Sequence, residues 1–189
     1  MRVKMKSFLT LTANFTALIV LIISLYRPAF FSGEISGDDT PRHNITHLHF
    51  FFHDMVAGKN PTVVKIAGPT TASNPYGFGA TMMADDALTE DRDRSSGEIG
   101  RAQGIYAVAA QNDVALLMVM NFVFTSGEYK GSSLSLLGRN HVMDDVREMP
   151  VVGGSGAFRH ARGYALAHTV WFDNTTGDAT VEYNVYVTQ

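Results

Sequence analysis

The chain contains no cysteine, which removes disulfides, thiolate nucleophiles and thiolate metal sites together and leaves the redox compartment open. Charge is sparse as well: Asp, Glu, Lys and Arg make up 17% of residues and the formal net charge is −3. The lysines and arginines are scattered, without the basic stripe that neutralises phosphates, so nucleic acid is not an expected partner. No Gly-x-Ser-x-Gly elbow occurs, and without a base placed beside them the serines read as ordinary loop and strand residues. The Gly153-Gly154-Ser155-Gly156 run lacks a following helix and so does not read as a phosphate cradle. With 46% hydrophobic residues in 189, the chain can still bury one sizeable core.

The N-terminus supplies the compartment. Arg2, Lys4 and Lys6 lead into an apolar run from Phe8 to Tyr26, densest at Ala17 to Leu25, followed by turn-forming residues around Ser32 and Gly33. Residues 1–32 read as a secretory signal peptide. An uncleaved anchor is the rival, but Asn14 and the threonines in the run shorten its fully apolar centre, so no stable membrane anchor is expected. Residues 33–46 are polar and carry Pro and Gly, which fits a flexible lead into a single domain over 47–189. The sequons at Asn44 and Asn174 fit N-glycosylation of a secreted protein.

From Leu48 onward, short runs with period-two alternation or β-branched enrichment recur at 62–66, 79–84, 104–110, 114–125, 132–137, 145–152, 163–172 and 179–187. Turn residues separate them, including Gly153 to Gly156 after a strand ending at Val152. This spacing predicts an all-β barrel or sandwich of eight or nine antiparallel strands. Residues 115–124 are apolar on both faces apart from Asn121, which predicts an outer cover, with a subunit interface the favoured form.

The most telling segment is Thr46 to Val56. As a strand it places Leu48, Phe50, Phe52 and Asp54 on one face and His47, His49, Phe51 and His53 on the other. A carboxylate on an apolar face either raises its pKa or finds a positive partner, although a surface Asp at a strand end is the simpler reading of the segment alone. Arg101, Arg147, Arg159 and Arg162 are candidate partners. Asp85 and Asp86 border the EDRDRSSGE loop and read as a solvated pair. The three histidines read as a solvent-facing row rather than a metal site, since no further ligand is placed.

HFFFHDMVAGKNP (49–61), GRAQGIY (100–106), LLMVMNFVFTSGEYKGSSLSLLGRN (116–140), VREMPVVGGSGAFRHARGYA (146–165) and VEYNVYV (181–187) together resemble the plant dirigent proteins. The resemblance implies a secreted, glycosylated, eight-stranded antiparallel β-barrel that forms a homotrimer, binds small phenolic intermediates and needs no cofactor. Motif matching carries three catalytic positions over: Asp54, Tyr106 and Arg147. Phe52 and Asn140 join them as expected substrate-binding residues. Lignan-forming relatives carry an Asp where this chain has Asn140, and an amide cannot supply an acid's proton. That departure and the missing cysteines point to the subgroup that includes legume pterocarpan synthases.

Three functions follow from the resemblance. The first is stereocontrol of phenoxy-radical or quinone-methide coupling in lignan-type biosynthesis, with an external laccase or peroxidase as oxidant. The second is pterocarpan synthesis, a lyase reaction that dehydrates an isoflavanol. The third is a non-catalytic phenol- or glycan-binding defence protein of the apoplast.

Overall fold

The structure, a computed structural model, describes residues 44–69 and 74–189. The expected signal peptide and most of the lead lie outside the described residues. Nine strands follow in order: β1 Thr46–Asp54, β2 Val63–Ala67, β3 Thr81–Thr89, β4 Glu98–Val108, β5 Ala115–Phe124, β6 Ser133–His141, β7 Val146–Ser155, β8 Arg162–Phe172 and β9 Ala179–Thr188. One 3-10 turn, Gly156–Phe158, is the only helical element among the described residues. All pairings are antiparallel, and a pairing between β1 and β3 closes eight strands into a barrel. The ninth, β2, is an extra strand on the edge of β3.

Closure divides β3 between two neighbours. Its C-terminal half pairs with β1 through Phe51↔Thr89, Phe52↔Leu88 and His53↔Ala87. Its N-terminal half pairs with β2, beginning at Val63↔Ala84. Between those ladders lies a gap at Asp85 and Asp86, where the β1–β3 ladder has ended and the β2–β3 ladder has not yet begun.

The interior is filled by the alternate residues of each strand. Phe50 of β1, Phe122 of β5 and Tyr183 of β9 are almost fully buried. Their ring centroids lie 5.1 Å (Phe50 to Phe122) and 5.2 Å (Phe122 to Tyr183) apart, both pairs edge to face. Phe124, Tyr129 and Phe158 extend this cluster toward one end of the barrel. Burying each such ring stabilises the fold by roughly 1.5–3 kcal/mol.

Three local expectations are corrected. The strand expected to end at Val152 runs on to Ser155, so Gly153 and Gly154 lie in β7 rather than in a turn. The β6–β7 register shifts here, from Ser135↔Gly153 to Leu136↔Val151. A Cβ on Gly154 would sit 2.7 Å from the Cβ of Phe158, so the glycine makes room for the buried ring that seals this end. Asp85 and Asp86 belong to β3 instead of a loop border, and Asp86 is wholly buried.

The histidine row also divides. His47 and His49 are exposed and bond to Asn184 and Glu182, whereas His53 is 1% exposed. Its Nε2 lies 2.7 Å from Thr89 Oγ1 and its Nδ1 3.3 Å from Thr180 Oγ1. Thr89 Oγ1 spends its own proton on Asp91 O, so His53 Nε2 is the donor in that pair. Burial, reinforced by Arg94 and opposed by Asp93, pulls the His53 pKa down. This histidine serves the closing seam.

On the outer surface Leu117 and Val119 of β5 are 44% and 43% exposed, and Leu137, paired with Val119, is 47% exposed. The apolar second face expected of this strand is therefore open to solvent in the single chain.

Candidate active site

One end of the barrel encloses a cavity of about 520 Å³, within the range that holds a small organic ligand. All five residues expected at the site line it: Phe52, Asp54, Tyr106, Asn140 and Arg147, with Tyr183 as the floor's aromatic neighbour. The five come from four strands (β1, β4, β6 and β7) and Tyr183 from β9, each pointing inward by the alternation that builds the core. A smaller cavity of about 190 Å³ lies at the other end, among Leu48, Phe124 and Tyr129.

Asp54 ends the aromatic face of β1. Its neighbours are apolar, and burial pushes its pKa up to about 6, with the charge of Asp178 adding to the effect. The Tyr106 hydroxyl donates to Asp54 Oδ1 across 3.4 Å and pulls the other way. That contact is long for an O–H···O bond. Tyr106 is itself pushed well above the phenol range by burial and by the two nearby carboxyl groups, Asp54 and Asp86. It therefore stays a neutral donor.

Across the cavity Arg147 is 4% exposed. Its Nε donates to Asn140 Oδ1 at 3.1 Å, and Nη1 reaches the Asp144 carbonyl at 3.5 Å. The carboxylate partner considered for this arginine is thus an amide: Asn140 orients the guanidinium without neutralising it. Burial pulls the arginine's pKa down, and Nη2 has no acceptor among the described residues, which leaves a donor for a ligand oxygen. The other arginines lie elsewhere. Arg101 pairs with Asp85 at 2.9 Å on the outer surface, Arg162 donates to Ala161 O, and Arg159 is exposed beside the 3-10 turn.

Asp86 is the residue that sequence reasoning missed. Thr62 Oγ1 donates to its Oδ1 in a very short bond, and that same Oγ1 accepts the Met55 N–H. Its Oδ2 is the only buried side-chain polar atom without a partner among the described residues. Burial, then the charge of Asp54, pushes the Asp86 pKa up to about 8. The signal was available: Met82, Ala84, Asp86 and Leu88 alternate with Met83, Asp85, Ala87 and Thr89, so extending the strand by five residues turns Asp86 inward.

The rim adds residues that no motif announced. Val142, Met143, Asp144 and Asp145 between β6 and β7 face His168 and Phe172 of β8. His168 Nδ1 lies 2.8 Å from Asp145 O. Both sequon asparagines, Asn44 and Asn174, are exposed. Among the described residues no group of three or more His, Cys, Asp or Glu side chains is placed to hold a metal ion.

The arrangement is a largely apolar chamber with a buried acid, Asp54, at its wall, a neutral phenol donor touching that acid and a cation opposite. It can donate a proton and hold a ligand oxygen. Comparison with known proteins gives consistent results. Residues 45–188 match the family model described as Dirigent-like protein. The chain is 56% identical to Dirigent protein 21 of Arabidopsis thaliana over 144 residues, 76% of each protein. It is 51% identical to Pterocarpan synthase 1 of Glycine max over 144 residues, covering 75% of this chain and 77% of that one. Among solved structures, the pterocarpan synthase dirigent protein PsPTS1 superposes with a TM-score of 0.74 at 48% identity, covering 77% of this chain and 96% of that chain. A family match over nearly the whole barrel, carried by the same strands that build the cavity, makes this chain a member of the dirigent-like protein family.

Proposed function

We propose that the cavity binds a phenolic benzylic alcohol, or the quinone methide formed from it, and dictates which face of the methide closes. The observation that carries the reading is Asp54: a carboxyl group held near pKa 6 in an apolar chamber, touched by Tyr106 and faced by Arg147. Protonated Asp54 gives its proton to the departing hydroxyl, the C–O bond breaks and water leaves. A ring hydroxyl releases its proton to water as the methide forms. A second phenolic oxygen then attacks the methide carbon and passes its proton to the Asp54 carboxylate, while the ring oxygen takes one back from water, so the net change is the loss of one water. Arg147 and Tyr106 hold the oxygen that carries the developing charge. A hundredfold preference for one face needs about 2.7 kcal/mol between the two transition states, which the shape of the chamber supplies.

This is a carbon–oxygen lyase of the pterocarpan-synthase kind. It is supported by the similarity to proteins named pterocarpan synthases and by Asn140, which gives Arg147 an amide partner instead of a second catalytic acid. The second reading is a non-oxidising stereodirecting protein for phenolic radical coupling, supported by the same oxygen-holding pair. Purified protein given an isoflavanol alone, and separately coniferyl alcohol plus laccase, separates them by chiral chromatography. The lyase yields one enantiomer in the first mixture, the stereodirecting protein only in the second, and a phenol- or glycan-binding protein in neither. We further propose a secreted, glycosylated homotrimer assembled through the exposed strip at Leu117, Val119 and Leu137.

A further inference from the structure

The register of the closing seam carries a consequence for the acid. The β1–β3 ladder steps through Phe51↔Thr89, Phe52↔Leu88 and His53↔Ala87, so its next position sets Asp54 beside Asp86. Both belong to inward-facing sets: Phe50, Phe52 and Asp54 on β1, and Ala84, Asp86 and Leu88 on β3. The β1–β3 ladder stops one residue short of this pair, while β1 stays paired with β9 at Asp54↔Ala179, and Thr62 enters beside β3.

Thr62 then fixes the roles of the two Asp86 oxygens. Its Oγ1 accepts the Met55 N–H, so its hydroxyl proton points to Asp86 Oδ1, and Oδ1 is the accepting oxygen. A proton on Asp86 must therefore sit on Oδ2, the buried atom with no partner. A buried O–H without an acceptor is costly, and the carboxyl group at the next seam position is Asp54. We propose that Asp54 and Asp86 share one proton across the β1–β3 seam, with Asp86 as a positioning residue that keeps Asp54 supplied with a proton above the pH at which a lone Asp54 would have lost it. This rests on the reading of Asp54 as the acid of the dehydration.

The surrounding groups leave that sharing intact. Tyr106 of β4 donates to Asp54 Oδ1 and has no proton to lose in the working range. Asp178, just before β9, is occupied by the backbone N–H groups of Val56 and Ala57. Arg147 of β7 is engaged by Asn140, and Tyr183 of β9 is held neutral by burial. Asp85 and Arg101 neutralise each other on the outer face of β3 and β4. No cation contacts either oxygen of Asp86 among the described residues, and like-charged neighbours then lose protons in two steps that belong to the pair. The values of about 6 and about 8 for Asp54 and Asp86 bracket the window in which one proton remains. In catalysis the proton given to the leaving hydroxyl comes from Asp54, Asp86 refills it, and the attacking phenol returns a proton to the pair, so the catalyst is unchanged.

The test is a carboxyl titration by NMR on protein labelled with 13C at the Asp side chains, comparing wild type, Asp86→Asn and Asp54→Asn, together with the pH–rate profile of isoflavanol dehydration. The expected result is biphasic titration of both groups in the wild type, collapsing to a single step in either variant. The alkaline limb of the rate profile moves down by about two pH units in Asp86→Asn, from about 8 toward about 6. Should Asp86→Asn fail to fold, Asp54→Asn reports the coupling from the other side, as a downward move of the Asp86 titration. Single-step titration of Asp54 in the wild type, or an Asp86 midpoint unmoved by Asp54→Asn, overturns the sharing. The NMR arm needs no substrate, so coupled titration with no dehydration sinks the lyase reading and leaves the shared proton standing.

Discussion

The two ends of the barrel are built from the same strands and behave as different materials. At the sealed end Phe50, Phe122, Phe124 and Phe158 fill the interior ring against ring, all 4% exposed or less. At the open end the same inward positions carry Asp54, Tyr106, Asn140 and Arg147 around a cavity of about 520 Å³, with Asp86 buried at the seam. On β1 the change takes four residues, from Phe50 to Asp54, or about 13 Å of strand. Alternation decides that a side chain points inward; whether inward means dry core or reactive chamber depends on how far along the barrel it lies. Stability is concentrated at one end and chemistry at the other, so each can be broken separately.

The largest expected effect is at the sealed end. Phe122→Ala should destabilise the fold by about 3–5 kcal/mol, lowering the thermal midpoint by roughly 10 °C for a domain of this size, while the reaction rate of the folded fraction barely moves. Differential scanning calorimetry alongside turnover below the transition checks both halves. A rate that fell in step would erase the division between the ends. At the open end Asp54→Asn should do the reverse. Dehydration should slow by about 10²–10⁴-fold, with urea unfolding at pH 7 showing no loss of stability.

A smaller effect follows from titration. Both buried acids have folded pKa values above their unfolded ones, about 6 for Asp54 and about 8 for Asp86. Their contribution to stability is complete below about pH 4, and it is lost as pH rises through 6 and then 8. Urea midpoints should therefore fall as pH rises from 4.5 to 8.5, and Asp86→Asn should flatten the upper half of that decline. A flat wild-type profile would place Asp86 in solvent after all. The smallest effect sharpens the contrast between adjacent residues. Asp85 is exposed and paired with Arg101 in water, so Asp85→Asn should change stability by under about 1 kcal/mol and leave the pH–rate profile in place.

Legibility in the sequence tracked the physical source of each feature. The strand pattern was readable because one face of most strands is apolar, and the face of β1 that carries Phe52 and Asp54 came from alternation alone. Tyr106 and Asn140 needed the family resemblance, because nothing local marks them, and the resemblance also singled out Arg147 from the four candidate arginines. Asp86 was misread because the adjacent EDRDRSSGE segment suggested a solvated border, whereas β3 continues through it and turns the acid inward. His53 was misread for a related reason. Its outward side meets Thr89 and Thr180 at the seam instead of solvent, and a strand viewed alone does not show what lies on its outer side.

By itself the sequence determined the antiparallel strand composition, the inward-facing aromatic set and the presence of an acid at the end of β1. These follow from a two-residue period and from the cost of exposing rings, both local properties of the chain. Only the tertiary structure decided that β3 is shared between β1 and β2 and that Asp86 fills the gap between them. Those facts depend on closing the barrel, which brings residues more than thirty positions apart into one low-dielectric space where neighbours, not residue types, set each proton's affinity.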